Sequence, residues 1–450
     1  MHSSFPAFLV LLSSPLVAQG TQKVLGPPAS NILRCVESLS DQNGGACLEA
    51  SSAPTFGLLF PYPGLNNSFD PADGSVVSGG ESNVASVAHS TVGGGLNNTA
   101  SSIYSTVGGG RGNSASFRGT VSGGTGNTAS GGAAIGGGSN NNAGSDATIG
   151  GGEFCSAGSR ATVGGGFGND ASGSNATIGG GYNNYASAIA ATVGGGDLNT
   201  ASASFSTVGG GDSNEASGAR STVGGGLNNT ASFFYATVGG GVGNEASGPD
   251  STVSGGRQNI ASGSSATVPG GGLNAANALN SFAAGFRSKA NHAGSFVWGD
   301  GFNADKTSSA SNQFNVYASG GTRIFSNTAA TSGVLLAPGS GAWITVSDRD
   351  AKENFNSVDG RDVLEQLASI PITTWNYKSQ VEGVQHMGPM AQDFYAAFGL
   401  GLDDKGISTI DADGVALAAI QGLRAEKDAE IAALRKRLEA LEAMLAERSE

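Results

Sequence analysis

The chain has 450 residues, 76 of them Gly, with 13% charged and 7% aromatic side chains and a net charge of −13. That composition excludes a core filled by bulky side chains, as in an ordinary globular enzyme. It also excludes a nucleic-acid surface, because Lys and Arg are concentrated nowhere before the last thirty residues. An elongated repeat body of small residues fits it instead.

The apolar run from Phe5 to Val17, closing on small residues around Ala18, reads as a secretory signal segment over 1–20 and hence as export or surface display. Its first residues offer His2 but no Lys or Arg, so an N-terminal anchor or a buried strand stays open as the alternative. The run is shorter than the ~20 residues of a bilayer span. No later segment is continuously apolar, so no membrane span is expected in the mature chain. Cys35, Cys47 and Cys155 are odd in number, which forbids complete pairing within the chain. Cys35 and Cys47, with Gly44 and Gly45 between them, form either a small disulfide loop or two free thiols. Residues 21–75 carry no other functional signal.

From Val77 to Val268 an apolar β-branched residue recurs fourteen times at a spacing of 14 or 15. Counted from each, the residues at plus two and plus three are Gly, plus eight is Ala, and plus six is Asn except at Cys155. A flexible linker needs no such register. A unit such as 191–204, ATVGGGDLNTASAS, is too short for a helical hairpin and too rich in Gly for a helix. It predicts two short strands, one at Thr192 and Val193 and one returning through Ala201, with a bend at Gly194 to Gly196. Stacked coils then set Val over Val, Ala over Ala and Asn over Asn, with the Asn amides paired between coils. One Val and one Ala per coil bury little against an ordering entropy of roughly 1–2 kcal/mol per residue. The missing burial is therefore assigned to neighbouring chains about a common axis. Thr precedes the apolar residue in twelve of the fourteen units. An outward Thr ladder would suit a glycan- or ice-binding rod, although ordinary β propensity accounts for it equally. Acidic residues such as Asp197 and Glu215 hold no common register, so no metal is expected.

Phe282, Phe286, Phe296, Val297 and Trp298 read as a bulky cap ending a repeat body at 76–301. Phe314 to Tyr317 and Thr322 to Phe325 alternate around Ser319, Gly320 and Gly321, which predicts a hairpin in a neck at 302–346. His292 reads as structural. At Ser347 the composition turns mixed and charged, opening a domain at 347–413. A helix is expected from Asp359 through Leu367, stopping before Pro371, then a strand from Ile372 to Tyr377 and a helix from Met390 to Phe398. A turn from Asp411 to Gly414 leads into a terminal helix. There Ile431, Leu434, Leu438, Leu441 and Leu445 alternate by three and four, a coiled-coil seam within 414–450. A lone amphipathic helix folded onto its own domain is the alternative.

Two resemblances connect these parts to function. The ATVGGGxxNxASG unit is similar to the head repeat of trimeric autotransporter adhesins, which implies a trimeric, left-handed parallel β-roll. The triple Gly is richer than the usual head unit, and the membrane barrel of those adhesins is absent, so surface anchoring is not carried over. Ser347-Asp348-Arg349-Asp350-Ala351-Lys352 resembles the opening motif of the intramolecular chaperones of endosialidase-type tailspikes, a Ser-Asp with Lys five residues after the Ser. Gln385-His386-Met387-Gly388-Pro389-Met390-Ala391-Gln392 resembles their second motif, His-x-Gly followed by Ala-Gln. Asp413-Gly414 before a coiled coil agrees as well, while Phe355 stands where that family usually has Ile and Pro389 alters the second motif. The resemblance implies an α+β chaperone domain that promotes assembly of a homotrimer and then removes itself between Val346 and Ser347. Ser347 would be the nucleophile, Lys352 the base, and His386 an orienting, donating or proton-shuttling group, with no cofactor.

A Ser hydroxyl needs such a base, and Lys serves once burial or nearby positive charge favours its neutral form. Five residues put the two on different faces of a continuous helix, so a bend must lie between them. The sequence as a whole predicts a mainly β protein, a trimeric solenoid of 14- to 15-residue repeats followed by a small chaperone domain and a coiled coil. The function expected is that of an exported fibre or adhesin-like protein and single-turnover autopeptidase, partnered by its own copies and by a glycan or cell-surface receptor. A tailspike-like protein whose chaperone domain does not cleave is an alternative, as is a glycan- or ice-binding rod. A glycan hydrolase is disfavoured, because no paired carboxylates occur in a cleft-forming context between Thr21 and Val346.

Overall fold

A computed structural model describes residues 65–70 and 73–449. The expected signal segment 1–20, Cys35 and Cys47, and most of 21–75 lie outside the described residues.

Each repeat forms one coil. Thr192–Val193 and Thr200–Ala201 are its two short strands. The first pairs in parallel with the next coil, Thr192 opposite Thr207 and Val193 opposite Val208. The second does likewise, Thr200 opposite Glu215 and Ala201 opposite Ala216. Repetition builds two parallel sheets of 17 strands each, a β-solenoid about 80 Å long at roughly 4.8 Å per turn. It runs from Ser68–Phe69, paired with Val84–Ala85, to Phe314–Tyr317, paired with Phe296–Gly299, so it extends beyond 76–301 at both ends. The hairpin expected between Phe314 to Tyr317 and Thr322 to Phe325 does not form. The Phe314 ring stacks on Phe296, and Phe296 on Phe282, each at 4.7 Å between centroids, so the strand continues the solenoid. Thr322–Phe325 pairs instead with Gly333–Leu336, which pairs antiparallel with Trp343–Thr345.

The interior takes four columns of side chains per coil, one more than the Val, Ala and Asn columns of the sequence reading. Asn at plus six is buried, and so is the Ser or Ala that precedes the Thr, such as Ser206 and Ala191. Asn199 shows what the amide does: Nδ2 donates to the carbonyls of Gly195 at 2.9 Å and Gly211 at 2.8 Å, and Oδ1 accepts the backbone N–H of Asn214 at 3.0 Å. The column therefore ties backbone to backbone between coils, and direct amide pairs, such as Asn214 Nδ2 to Asn199 Oδ1 at 3.1 Å, only add to it. Asn suits the position because one short side chain offers both donors and an acceptor. A third side of each coil is closed by isolated parallel bridges, Asp197 to Asp212 for example. Gly196 has φ +94°, and a Cβ there would strike the carbonyl oxygen of Gly211 in the next coil, which explains Gly at plus three in every unit. Two further corners are left-handed without Gly, at Leu198 (φ 53°) and Phe205 (φ 61°). Such residues persist where the surrounding bonds over-determine them, as the ladder does here. The interior is thus filled within one chain by the Val, Ala, Asn and Ser columns.

At the far end the buried Lys306 donates to the carbonyls of Asp300 at 3.0 Å and Phe286 at 3.3 Å and lies 3.5 Å from the Asp300 carboxylate. Hydrogen bonds from Ser319, joined by the Lys306 charge, hold the Asp300 carboxyl down to about 2. His292 Nδ1 shares a 2.8 Å hydrogen bond with Ser308.

The C-terminal region has three helices, α1 (Gly360–Ser369), α2 (Ala391–Phe398) and α3 (Thr409–Arg448). Asp359 caps α1 by accepting the N–H of Arg361 at 2.8 Å. Thr373–Trp375 and His386–Gly388 form an antiparallel pair. The turn expected from Asp411 to Gly414 is instead helical. α3 begins after Ser408, which places the Asp411 carboxylate in the first turn where the helix dipole favours it. Gly414 costs about 1 kcal/mol there, and the neighbouring Val415 and Ala419 pack with Val363 and Phe394 into a small core. α1 meets α3 at Gly360 and Gly422, where a Cβ on either would strike the other's backbone. Beyond Gly422 no residue of α3 is buried. Among the described residues no helix is long and apolar enough to cross a membrane.

Candidate cleavage site

The site is built by a change of backbone direction. Trp343–Thr345 ends the three-stranded sheet, and the N–H of Val346 still donates to the carbonyl of Gly333 at 3.0 Å. One 3-10 turn, Arg349–Ala351, follows at once. Asp348 caps it by accepting the N–H of Asp350 at 3.0 Å, and the turn closes with the N–H of Lys352 donating to the carbonyl of Arg349 at 3.1 Å. Lys352 itself is extended (φ −125°, ψ 154°), so its side chain folds back across the turn. Its Nζ donates to Ser347 Oγ at 2.6 Å. This is the bend that the five-residue spacing requires. Both residues are exposed in the single chain. Phe355, the departure from the usual Ile, lies under the Arg349 guanidinium at 5.4 Å.

His386 lies elsewhere. It faces Trp375 across the strand pair, its ring 4.8 Å from Trp375 and 5.7 Å from Tyr377. Its Nε2 lies 2.8 Å from Nε2 and 3.1 Å from Oε1 of Gln380. No hydrogen bond among the described residues joins His386 to Ser347 or Lys352. The structure thus brings Ser347 and Lys352 together and sets His386 in an aromatic cluster of its own. Trp375, Tyr377 and Gln380 escaped the sequence reading. The alternation of Trp375 and Tyr377 on a strand preceding the His motif is the signal that could have pointed to them. Among the described residues no group of three or more His, Cys, Asp or Glu is placed to hold a metal ion.

Residues 347–400 match the family model of the chaperone of endosialidase. The match begins at Ser347, whose Oγ accepts from Lys352 Nζ, and includes Lys352, Gln380 and His386. No curated protein matches the chain. A segment similar to the chaperone of endosialidase therefore follows a long β-solenoid in this protein.

Proposed function

We propose that the chain is the subunit of an exported homotrimeric fibre, with the solenoid as shaft and a C-terminal chaperone that guides assembly and then cuts the Val346–Ser347 bond. The observation that carries the cleavage reading is the 2.6 Å contact between Lys352 Nζ and Ser347 Oγ, two residues beyond the last strand of the preceding sheet. In the reaction the neutral Lys352 amine takes the Ser347 hydroxyl proton while Oγ attacks the carbonyl carbon of Val346, on its own chain or a neighbouring one. The C–N bond breaks, the Ser347 nitrogen takes up a proton, and water hydrolyses the resulting ester. The products are a Val346 carboxylate and a fragment of 104 residues (450 − 346) beginning at Ser347. Desolvation favours a neutral lysine, and burial of this exposed pair by further copies would couple cleavage to assembly.

The apolar stripe of α3 supports the trimer, since Ile431, Leu434, Leu438, Leu441 and Leu445 are all exposed in one copy. Release of the chaperone would leave a fibre that cannot retrace its folding path, and its persistence would then be kinetic. Mass spectrometry with N-terminal sequencing of the purified full-length chain tests the reading. Wild type should yield a fragment starting at Ser347, and Ser347→Ala and Lys352→Ala should stay full-length yet trimeric. Wild-type trimer that remains intact on long incubation, or the same cut in Ser347→Ala, would overturn it.

A further inference from the structure

The orientation of the Gln380 amide follows from its backbone neighbours. Its Oε1 accepts the N–H of Tyr377 at 2.9 Å. Turned over, the amide would aim its own N–H groups at that donor. The backbone N–H of Gln380 in turn donates to the carbonyl of Tyr377 at 3.0 Å, so both ends of the side chain belong to one tight turn. With Oε1 so held, the amide nitrogen is the atom nearest His386, 2.8 Å from the imidazole Nε2. Two N–H donors do not share such a contact. Nε2 also lies 3.1 Å from Oε1, but a ring N–H aimed there would crowd the amide N–H at 2.8 Å, so we take Nε2 of His386 as the acceptor, with the ring proton on Nδ1. The rings of Trp375 and Tyr377 hold the plane of the imidazole, which keeps Nε2 on the amide.

We infer that Gln380 is a positioning residue: it occupies the acceptor nitrogen of His386, fixes the Nδ1–H tautomer, and so makes His386 a hydrogen-bond donor in cleavage and not a base. This rests on the cleavage proposed above. A neutral imidazole whose lone pair is engaged does not take the Ser347 proton, which leaves that step to Lys352. An N–H donor, by contrast, suits the oxygen of Val346 as it gathers negative charge during attack. His386 has no bond to Ser347 within one chain, so this role requires that assembly bring the donor to the bond.

The tautomer can be read directly in the full-length Ser347→Ala protein labelled with 15N-histidine. Two-bond proton–nitrogen correlations should show His386 protonated at Nδ1 and bare at Nε2, the resonances being assigned by their loss in His386→Gln. Gln380→Glu keeps an acceptor for Tyr377 but turns only oxygens toward the ring, and it should reverse the tautomer. Placed on the wild-type Ser347 background, it should slow cleavage at least tenfold while the trimer persists. Gln380→Met, which has no amide, should give mixed tautomers and a smaller loss. An Nε2–H tautomer in the otherwise native chain would sink the inference, as would a Gln380→Glu protein that has switched tautomer and still cleaves at the wild-type rate. If the chain with Ser347 intact never cleaves, the cleavage reading falls by itself, and the tautomer spectrum still decides what Gln380 does.

Discussion

Val193, Ala201, Asn199 and Ser206 are inaccessible in a single copy of the chain, while Ile431, Leu434, Leu438, Leu441 and Leu445, spaced just as regularly, are between 46 and 66% exposed. The solenoid closes its interior by stacking on itself, because each coil offers its neighbour the same columns in the same register. Among the described residues the terminal helix packs against α1 and α2, and beyond Gly422 none of its residues is buried. In the proposed trimer, the surface left for further copies therefore lies on the C-terminal helix and not in the interior of the shaft. In the proposed fibre that division is useful: the part to be discarded organises the trimer, and the part that stays already holds its own core.

The comparison can be broken most severely at the seam. Leu434→Glu combined with Leu438→Glu should abolish the trimer and cleavage with it, yet leave the melting of the solenoid within about 2 °C of wild type, since neither residue touches it. Sedimentation and thermal denaturation together check this, and a trimer that survives both charges would return the burden of assembly to the shaft. Within the solenoid, Asn199→Ala removes one hydrogen bond within its coil and two to the next coil and leaves their backbone partners buried, a loss of about 3 kcal/mol or more. Hydrogen exchange should show it as opening centred on the coils either side of residue 199, and unchanged protection there would mean that the Asn column is not structural glue.

Cys155 offers the opposite sign. Its sulfur is buried, and its contacts to the carbonyls of Glu153, Gly165 and Gly166 are long, at 3.6 to 3.9 Å. It presents no carboxamide oxygen to Asn169 in the next coil. Cys155→Asn restores the column and should stabilise the rod by about 1 kcal/mol, whereas a fall in melting temperature would show that the thiol has a partner of its own. The smallest effect belongs to Asp300. Its carboxyl is depressed from the ordinary 3.8 to about 2, so the stability it lends the solenoid end is present above pH 4 and is lost as pH falls through 2. Asp300→Asn should remove that acid step from the fluorescence of nearby Trp298, and an identical acid transition in the variant would assign it to other carboxylates.

Much of the shaft was legible in the amino-acid order because each coil is local. Thr192, Val193, Gly196, Asn199 and Ala201 lie within ten positions, and their recurrence declares both the strand pairs and the stacking direction. The Asn column was foreseen, but its bonding was not, because the partners of Asn199 are backbone groups of Gly195 and Gly211, which composition leaves anonymous. The fate of Phe314 was hidden for a similar reason: alternation marks a strand but not its partner, and only the stacking on Phe296 decides for the solenoid over a hairpin. Asp411 to Gly414 carries turn chemistry locally, and the packing of Val415 and Ala419 on α1 and α2 draws it into the helix. Ser347 and Lys352 could be chosen by motif, and the required bend followed from their spacing. That a capped 3-10 turn supplies the bend, and that Gln380 rather than Ser347 or Lys352 meets His386, depends on backbone direction in three dimensions. The sequence by itself determined the repeat and its inward Val, Ala and Asn, since these rest on periodicity, and a motif resemblance named Ser347 and Lys352 as the pair proposed to react. Only the tertiary structure decided where the solenoid ends and which apolar surface is left without cover, because both depend on which distant segments come into contact.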